Sequence, residues 1–156
     1  MINIIFAGAL ALISADPFEF RGENTSTVVD TANNPNCMTD DGIVSCAQVA
    51  SVAGVEGVIY SSAYHEGRLN GLLGQFREEH FLTLLRAFTE KYGEPTMSKE
   101  EWRNRAGASF DNTVATWAFS DGTLTLKQIG SRMGNGSFRF TATVNNPPAS
   151  APKVDF

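Results

Sequence analysis

A helix pattern that lies between two hairpin patterns constrains the fold of this chain more than any other sequence feature. Apolar residues recur at three- and four-residue intervals from about Glu78 onward, which places them on one side of a helix. They are Phe81, Leu84, Leu85, Phe88 and Tyr92. Gly93 suits a C-terminal cap and Pro95 prevents the helix from continuing. We therefore predict one long helix over residues 78–92.

Strand patterns precede and follow this helix. Runs rich in β-branched and aromatic residues are bounded by turn formers, notably His65-Glu66-Gly67 and Ser120-Asp121-Gly122. The predicted strands are residues 43–49, 58–64, 68–76, 114–119, 123–129 and 137–144. The glycine-rich segment 130–136 leads into a strand and not into a helix, so we interpret it as a hairpin loop and not as a phosphate-binding loop.

A second, shorter helix is predicted over residues 27–33, because Asn24, Thr25 and Ser26 are good N-cap residues and Pro35 follows. The element order then becomes helix followed by hairpin, twice. The sequence thus predicts an α+β fold. In it, an antiparallel β-meander of about five to seven strands packs on one long and one short helix, as a possible tandem helix–hairpin repeat.

The 156 residues are enough for one domain, which we place at residues 16–144. Residues 145–156 contain Pro147, Pro148 and Pro152 and are predicted to form an extended, Pro-rich tail, which is a second candidate for partner contacts. The apolar run within residues 1–15 is too short to span a bilayer, which needs about 20 residues. It is either a signal peptide or a buried element of the mature fold, and no Lys or Arg precedes it.

Cys37 and Cys46 lie in a segment full of turn formers, and this arrangement favours a disulfide that closes a short loop in an exported protein. The alternative is a pair of reduced thiols in a cytosolic protein. The prediction is a periplasmic or secreted location, with a virion or the cytoplasm as alternatives.

A family resemblance is carried by two stretches, Ala87-Phe88-Thr89-Glu90-Lys91-Tyr92-Gly93-Glu94-Pro95 and Trp117-Ala118-Phe119-Ser120-Asp121-Gly122-Thr123-Leu124. They resemble small exported bacterial and phage proteins of unassigned function. In outline, residues 54–140 are similar to the helix–hairpin units of SmpA/OmlA-type outer-membrane lipoproteins and of β-lactamase-inhibitor-like proteins. No lipobox cysteine follows the apolar run, so a lipid anchor does not carry over. The resemblance implies an extracytoplasmic protein–protein role without catalytic residues.

Charge and motif content argue against several other functions. The chain has 12 Lys and Arg against 17 Asp and Glu, a net charge of −5, and scattered basic residues, which disfavours nucleic-acid binding. Neither His65 nor His80 lies near a nucleophile in sequence, and a zinc site with Cys37 and Cys46 has no recognised spacing. No cofactor or metal is predicted, and the protein is predicted not to be an enzyme.

The candidate binding residues are Trp102, Arg103 and Arg105, because a large aromatic stands among charged residues with no apolar neighbour. Tryptophan and arginine are enriched at interface hot spots. The alternative is that Trp102 folds inward and caps the sheet. The leading hypothesis is a non-enzymatic, exported protein-binding or inhibitor-like module. The alternatives are a structural or assembly component such as a phage particle protein, and a small hydrolase or metal-dependent enzyme built on His65 or His80.

Overall fold

The computed structural model describes residues 16–143, and this part of the chain is mostly β. Strands make up 56% of it, and its helical content is one segment of 15 residues. The α+β prediction is therefore wrong. The strands are β1 (Glu19–Phe20), β2 (Glu23–Asn24), β3 (Cys37–Asp40), β4 (Ile43–Val52), β5 (Val55–His65), β6 (Arg68–Arg77), β7 (Thr96–Arg103), β8 (Ser109–Phe119), β9 (Gly122–Lys127) and β10 (Asn135–Ala142). A 3-10 turn (Glu78–His80) leads into helix α1 (Phe81–Tyr92) between β6 and β7.

Eight strands form one antiparallel sheet in the order β3-β4-β5-β6-β10-β9-β8-β7. Two four-stranded meanders, one on each side of α1 in the sequence, join where the last strand β10 pairs with β6. Strand β7 is thus an edge of the sheet, and the predicted single meander is in fact two. The remaining pair, β1 and β2, forms a small separate hairpin.

The two faces of the sheet differ sharply in burial. On the face that α1 covers, here called the helix face, Ala115, Leu126, Phe138 and Gly74 lie opposite one another across four strands, and all are buried. The other face, here called the open face, carries the alternate residues of each strand, because successive side chains point to opposite sides. Most of these are half-buried or exposed.

Aromatic side chains dominate the core between the helix face and α1. Phe18, just before β1, and Phe20, in β1, are buried there, and the Phe18 ring stacks on Phe140 with centroids 3.8 Å apart. The buried carboxylate of Asp121 accepts hydrogen bonds from Phe18 N (2.9 Å) and Thr25 Oγ1 (2.5 Å). These bonds fasten the N-terminal segment to the β8–β9 turn, so this segment completes the core.

The helix predicted over residues 27–33 does not form, and with it the tandem helix–hairpin repeat disappears. The Asn24 side chain does accept hydrogen bonds from the backbone N–H groups of Ser26 (3.1 Å) and Thr27 (2.9 Å). These bonds make a turn and not a helix N-terminus, since Asn side chains stabilise both. Val29 N then donates to Gly67 O at 2.8 Å, which holds the segment against the β5–β6 turn as an irregular loop.

Helix α1 lies where the apolar spacing predicts it, but it is short and is the one α-helix of residues 16–143. Its buried residues are Phe81, Leu84 and Phe88. Gly93, with φ of 91°, follows it and donates its N–H to Thr89 O at 2.9 Å. No helix in this part of the chain is long and apolar enough to span a membrane. The predicted signal peptide at 1–15 and tail at 145–156 lie outside the described residues.

Candidate protein-binding site on the open face

The structure separates the three predicted binding residues. Strand β7 runs through Trp102 and ends at Arg103, so the two side chains point to opposite faces of the sheet. The Arg103 guanidinium pairs with Glu101, with Nη2 and Oε1 2.9 Å apart, on the side away from the open face. Arg105 lies exposed in the β7–β8 turn. Of the three predicted residues, Trp102 alone lies on the open face.

Trp102 is half-buried and has a fixed position. Its indole Nε1 donates to Gly130 O at 3.2 Å, and its ring lies 6.2 Å from that of Phe110, the residue paired with it on β8. The contact with Gly130 places the indole against the loop between β9 and β10. The side chain is thus neither free in solvent nor part of the main core.

Asn112 explains why that loop is firmly placed. Its side chain is fully buried, and its amide donates to Ile129 O and accepts from Ile129 N, both at 2.7 Å. The side chain substitutes for a backbone partner and extends the β8–β9 pairing into the loop. Ile129 and Val114 are buried but lie outside the main core cluster. Ile129 is thus held directly next to Gly130, the residue that Trp102 contacts.

Trp102 borders a groove of about 630 Å³ on the open face. One wall is formed by Trp102 and Ile129, and the opposite wall by Leu73 and Arg139, on the neighbouring strands β6 and β10. The charged residues that line it are Glu100, Lys127 and Arg139. Such a mixture of aromatic, aliphatic and few charged groups is typical of recognition sites.

Two of the three charges in the groove neutralise each other. Lys127 Nζ lies 2.8 Å from Glu100 Oε1, which also accepts from Asn112 Nδ2 at 3.2 Å. The Arg139 side chain has no hydrogen-bond or ion-pair partner within residues 16–143. Its cross-strand neighbours are Leu73 and Thr125. As far as residues 16–143 show, the groove therefore carries one uncompensated positive charge on a protein whose net charge is −5.

Exposed aliphatic side chains continue the groove toward the other end of the sheet. Val49 and Ile59 are directly paired on β4 and β5, and Leu73 lies diagonally next to Ile59 on β6. Their exposures are 71%, 55% and 36%. A second depression of about 360 Å³ adjoins the groove at Leu73 and Arg139. One face of the sheet thus presents a continuous strip that is apolar at one end and aromatic and cationic at the other.

The histidines do not form a site together. His65 ends β5 and His80 precedes α1, so the ten-residue strand β6 separates them and places them about 30 Å apart. Cys37 and Cys46 are directly opposite on β3 and β4 and are joined in a disulfide, as predicted, which removes them as zinc ligands. Residues 16–143 contain no group of three His, Cys, Asp or Glu side chains that could hold a metal ion.

A polar cluster lies on the helix face near the disulfide. The buried Ser62 hydroxyl donates to the Glu23 carboxylate, and Tyr64 lies beside them. Burial, with a smaller contribution from the Glu23 charge, raises the pKa of Tyr64 to about 12. Burial also raises the pKa of Tyr92, with a smaller contribution from Glu19. The phenols of Tyr64 and Tyr92 thus remain neutral at physiological pH and act as structural groups.

No family model, curated protein or solved structure matches this chain. The resemblance to SmpA/OmlA-type and inhibitor-like proteins therefore stays a prediction. The site residues that the sequence did not single out, Leu73, Lys127 and Arg139, lie on strands that were predicted. Alternation places each on one face of its strand, but the β9–β10 pairing brings Lys127 close to Arg139, and the β6–β10 pairing adds Leu73.

Proposed function

We propose that this protein is a non-enzymatic protein-binding or inhibitor-like module that contacts its partner through the open face. The observation that carries the proposal is the strip from Val49 to Trp102. In it, aliphatic side chains that are one-third to three-quarters exposed lead into a groove with a positioned tryptophan. Contiguous apolar surface of this kind is typical of interaction sites, and tryptophan is the residue most enriched at their hot spots.

The chemistry of the groove suits binding better than proton transfer. A general acid or base needs a titratable group free to exchange a proton with a substrate. Here the two side chains Glu100 and Lys127 already form an ion pair at 2.8 Å. Because that pair also holds Asn112, it supports the shape of the groove.

Export is part of the same proposal. The Cys37–Cys46 disulfide suits an oxidising compartment, because cytosolic thiols are kept reduced. The apolar segment within residues 1–15 has the length of a signal-peptide core. Intact-mass measurement of protein from the culture medium or periplasm should show the loss of this segment, and a full-length product there would contradict the proposed cleavage.

Site-specific photocross-linking tests the binding surface directly. A photoreactive phenylalanine analogue replaces Ile59 on the open face or, as the matched control, Leu82, which is 69% exposed on α1 at the opposite side of the molecule. In cells of the organism that encodes the protein, we expect a cross-linked partner from position 59 and none from position 82. Adding Trp102→Ala should reduce the product from position 59. Equal amounts of cross-linked partner from both positions would contradict the proposal. So would an amount from position 59 that Trp102→Ala leaves unchanged.

A further inference from the structure

The charges of the groove indicate what kind of segment it receives. Arg139 is exposed, its cross-strand neighbours on the open face are Leu73 and Thr125, and the second cation lining the groove, Lys127, is already matched by Glu100. A guanidinium binds a carboxylate through two parallel hydrogen bonds, which are among the stronger polar contacts in water-exposed grooves. The unmatched charge therefore favours an anionic group in the partner.

The walls of the groove indicate that this anionic group belongs to an apolar segment. Leu73 borders Arg139 on one wall, and Trp102 and Ile129 form the other. From β6 to β7 the sheet steps across β10, β9 and β8, which spans about 19 Å at a strand spacing of about 4.8 Å. An extended segment of about six residues has that length, whereas a single small ion does not fill it.

From these observations, and resting on the proposed protein-binding function, we propose that the groove beside Trp102 binds an acidic, apolar segment of the partner protein. A carboxylate of the segment pairs with the Arg139 guanidinium. Its apolar side chains lie against Leu73 and the indole of Trp102. Charge complementarity with Arg139 then selects acidic segments, although the protein as a whole is acidic.

Peptide titration followed by NMR tests this inference. The probes are hexapeptide amides in which three leucines alternate with three glutamates, three glutamines or three lysines. The two indole N–H signals separate the faces, because Trp102 lies at the groove and Trp117 is 4% exposed on the helix face. We expect the glutamate peptide to shift the Trp102 signal and leave that of Trp117 unchanged. The glutamine peptide should bind roughly tenfold more weakly, and the lysine peptide more weakly still.

Two arginine variants provide the control. Arg139→Gln should weaken binding of the glutamate peptide roughly tenfold and remove the preference for glutamate over glutamine. Arg86→Gln changes an exposed arginine on α1, at the other side of the molecule, and should have no effect. Unchanged indole signals in the free variants show that each still folds.

Several results would overturn the inference. Equal binding of the glutamate and glutamine peptides, or no effect of Arg139→Gln, would remove the carboxylate contact. An equal response of the Trp102 signal to inorganic phosphate at matched ionic strength would show an anion site and not a peptide groove. If no peptide binds while position 59 still cross-links a partner, the acidic segment is wrong and the proposed function stands. If the glutamate peptide binds but no partner cross-links, the proposed function fails and the peptide groove remains.

Discussion

Trp102 and Trp117 lie on neighbouring strands of one sheet, but they face opposite sides and have different roles. Trp117 is 4% exposed on the helix face, where its indole donates to Gly93 O at 2.8 Å and packs edge-on against Phe88 and Tyr92. Trp102 is half-buried on the open face and contacts the β9–β10 loop and Phe110. The helix face holds the fold together, and we assign recognition to the open face.

The sequence around each tryptophan already reflects this difference. Trp117 lies between Ala115 and Phe119, where every second residue is apolar, the pattern of a half-buried strand. Trp102 stands among Glu100, Glu101 and Arg103. Nothing beside it in sequence supplies the apolar neighbours that a core tryptophan needs, and the structure supplies them only partly.

The largest expected effect is on the helix face. Trp117→Ala leaves a cavity next to Phe88 and Tyr92 and an unsatisfied Gly93 carbonyl, so the free energy of unfolding should fall by roughly 3–5 kcal/mol. Equilibrium denaturation with urea measures this loss. A loss no larger than that of Trp102→Ala would remove the distinction between the two faces.

The next effect concerns the disulfide, which lies at the edge of the helix face with Cys46 buried. Replacing Cys37 and Cys46 by alanine removes a link between residues nine apart. The free energy of unfolding should then fall by about 2.5–3 kcal/mol according to the loop-entropy relation. Partner cross-linking from position 59 should persist below the new melting temperature. Loss of cross-linking in a folded double variant would show that the disulfide end of the sheet also takes part in binding.

A smaller effect is expected at alkaline pH, because Tyr64 is on the helix face and its folded pKa is raised from 10.0 to about 12. In the unfolded chain this phenol ionises near pH 10, so its contribution to stability is complete below pH 10. That contribution is lost as the pH rises toward 12. In wild-type protein, unfolding between pH 10 and 12 releases the Tyr64 proton. The Tyr64→Phe variant has no such proton to release, so its free energy of unfolding should fall less steeply with pH over this range. An unchanged slope would contradict the burial of this phenol.

Strand positions could be predicted from the sequence, but the number of strands and their pairing could not. Alternation and turn residues located most strands of the sheet and α1 correctly. Two errors have clear physical causes. Asn24 was interpreted as an N-cap, but the same side chain stabilises a turn, and the backbone of Val29 finds its partner at Gly67. The polar strand β7 has no apolar alternation to identify it, because almost all of its side chains are exposed at the edge of the described sheet.

The candidate binding site was predictable only in part, for a related reason. Trp102 stood out because of its charged neighbours, but Arg103 was grouped with it by adjacency, although adjacent strand residues face opposite sides. Arg139 and Leu73 are far from Trp102 in sequence. Arg139 joins it through the successive pairings from β10 to β7, and Leu73 joins it through the pairing of β10 with β6, a long-range contact that local patterns do not encode.

The smallest expected change in stability is also the most direct test of the account. Trp102→Ala should leave the melting temperature within a few degrees of the unaltered protein, because the indole lies outside the main core cluster. In the same preparation, cross-linking of the partner from position 59 should be lost or strongly reduced. A large fall in melting temperature with undiminished cross-linking would contradict the account, since Trp102 would then support the fold and the open face would bind without it.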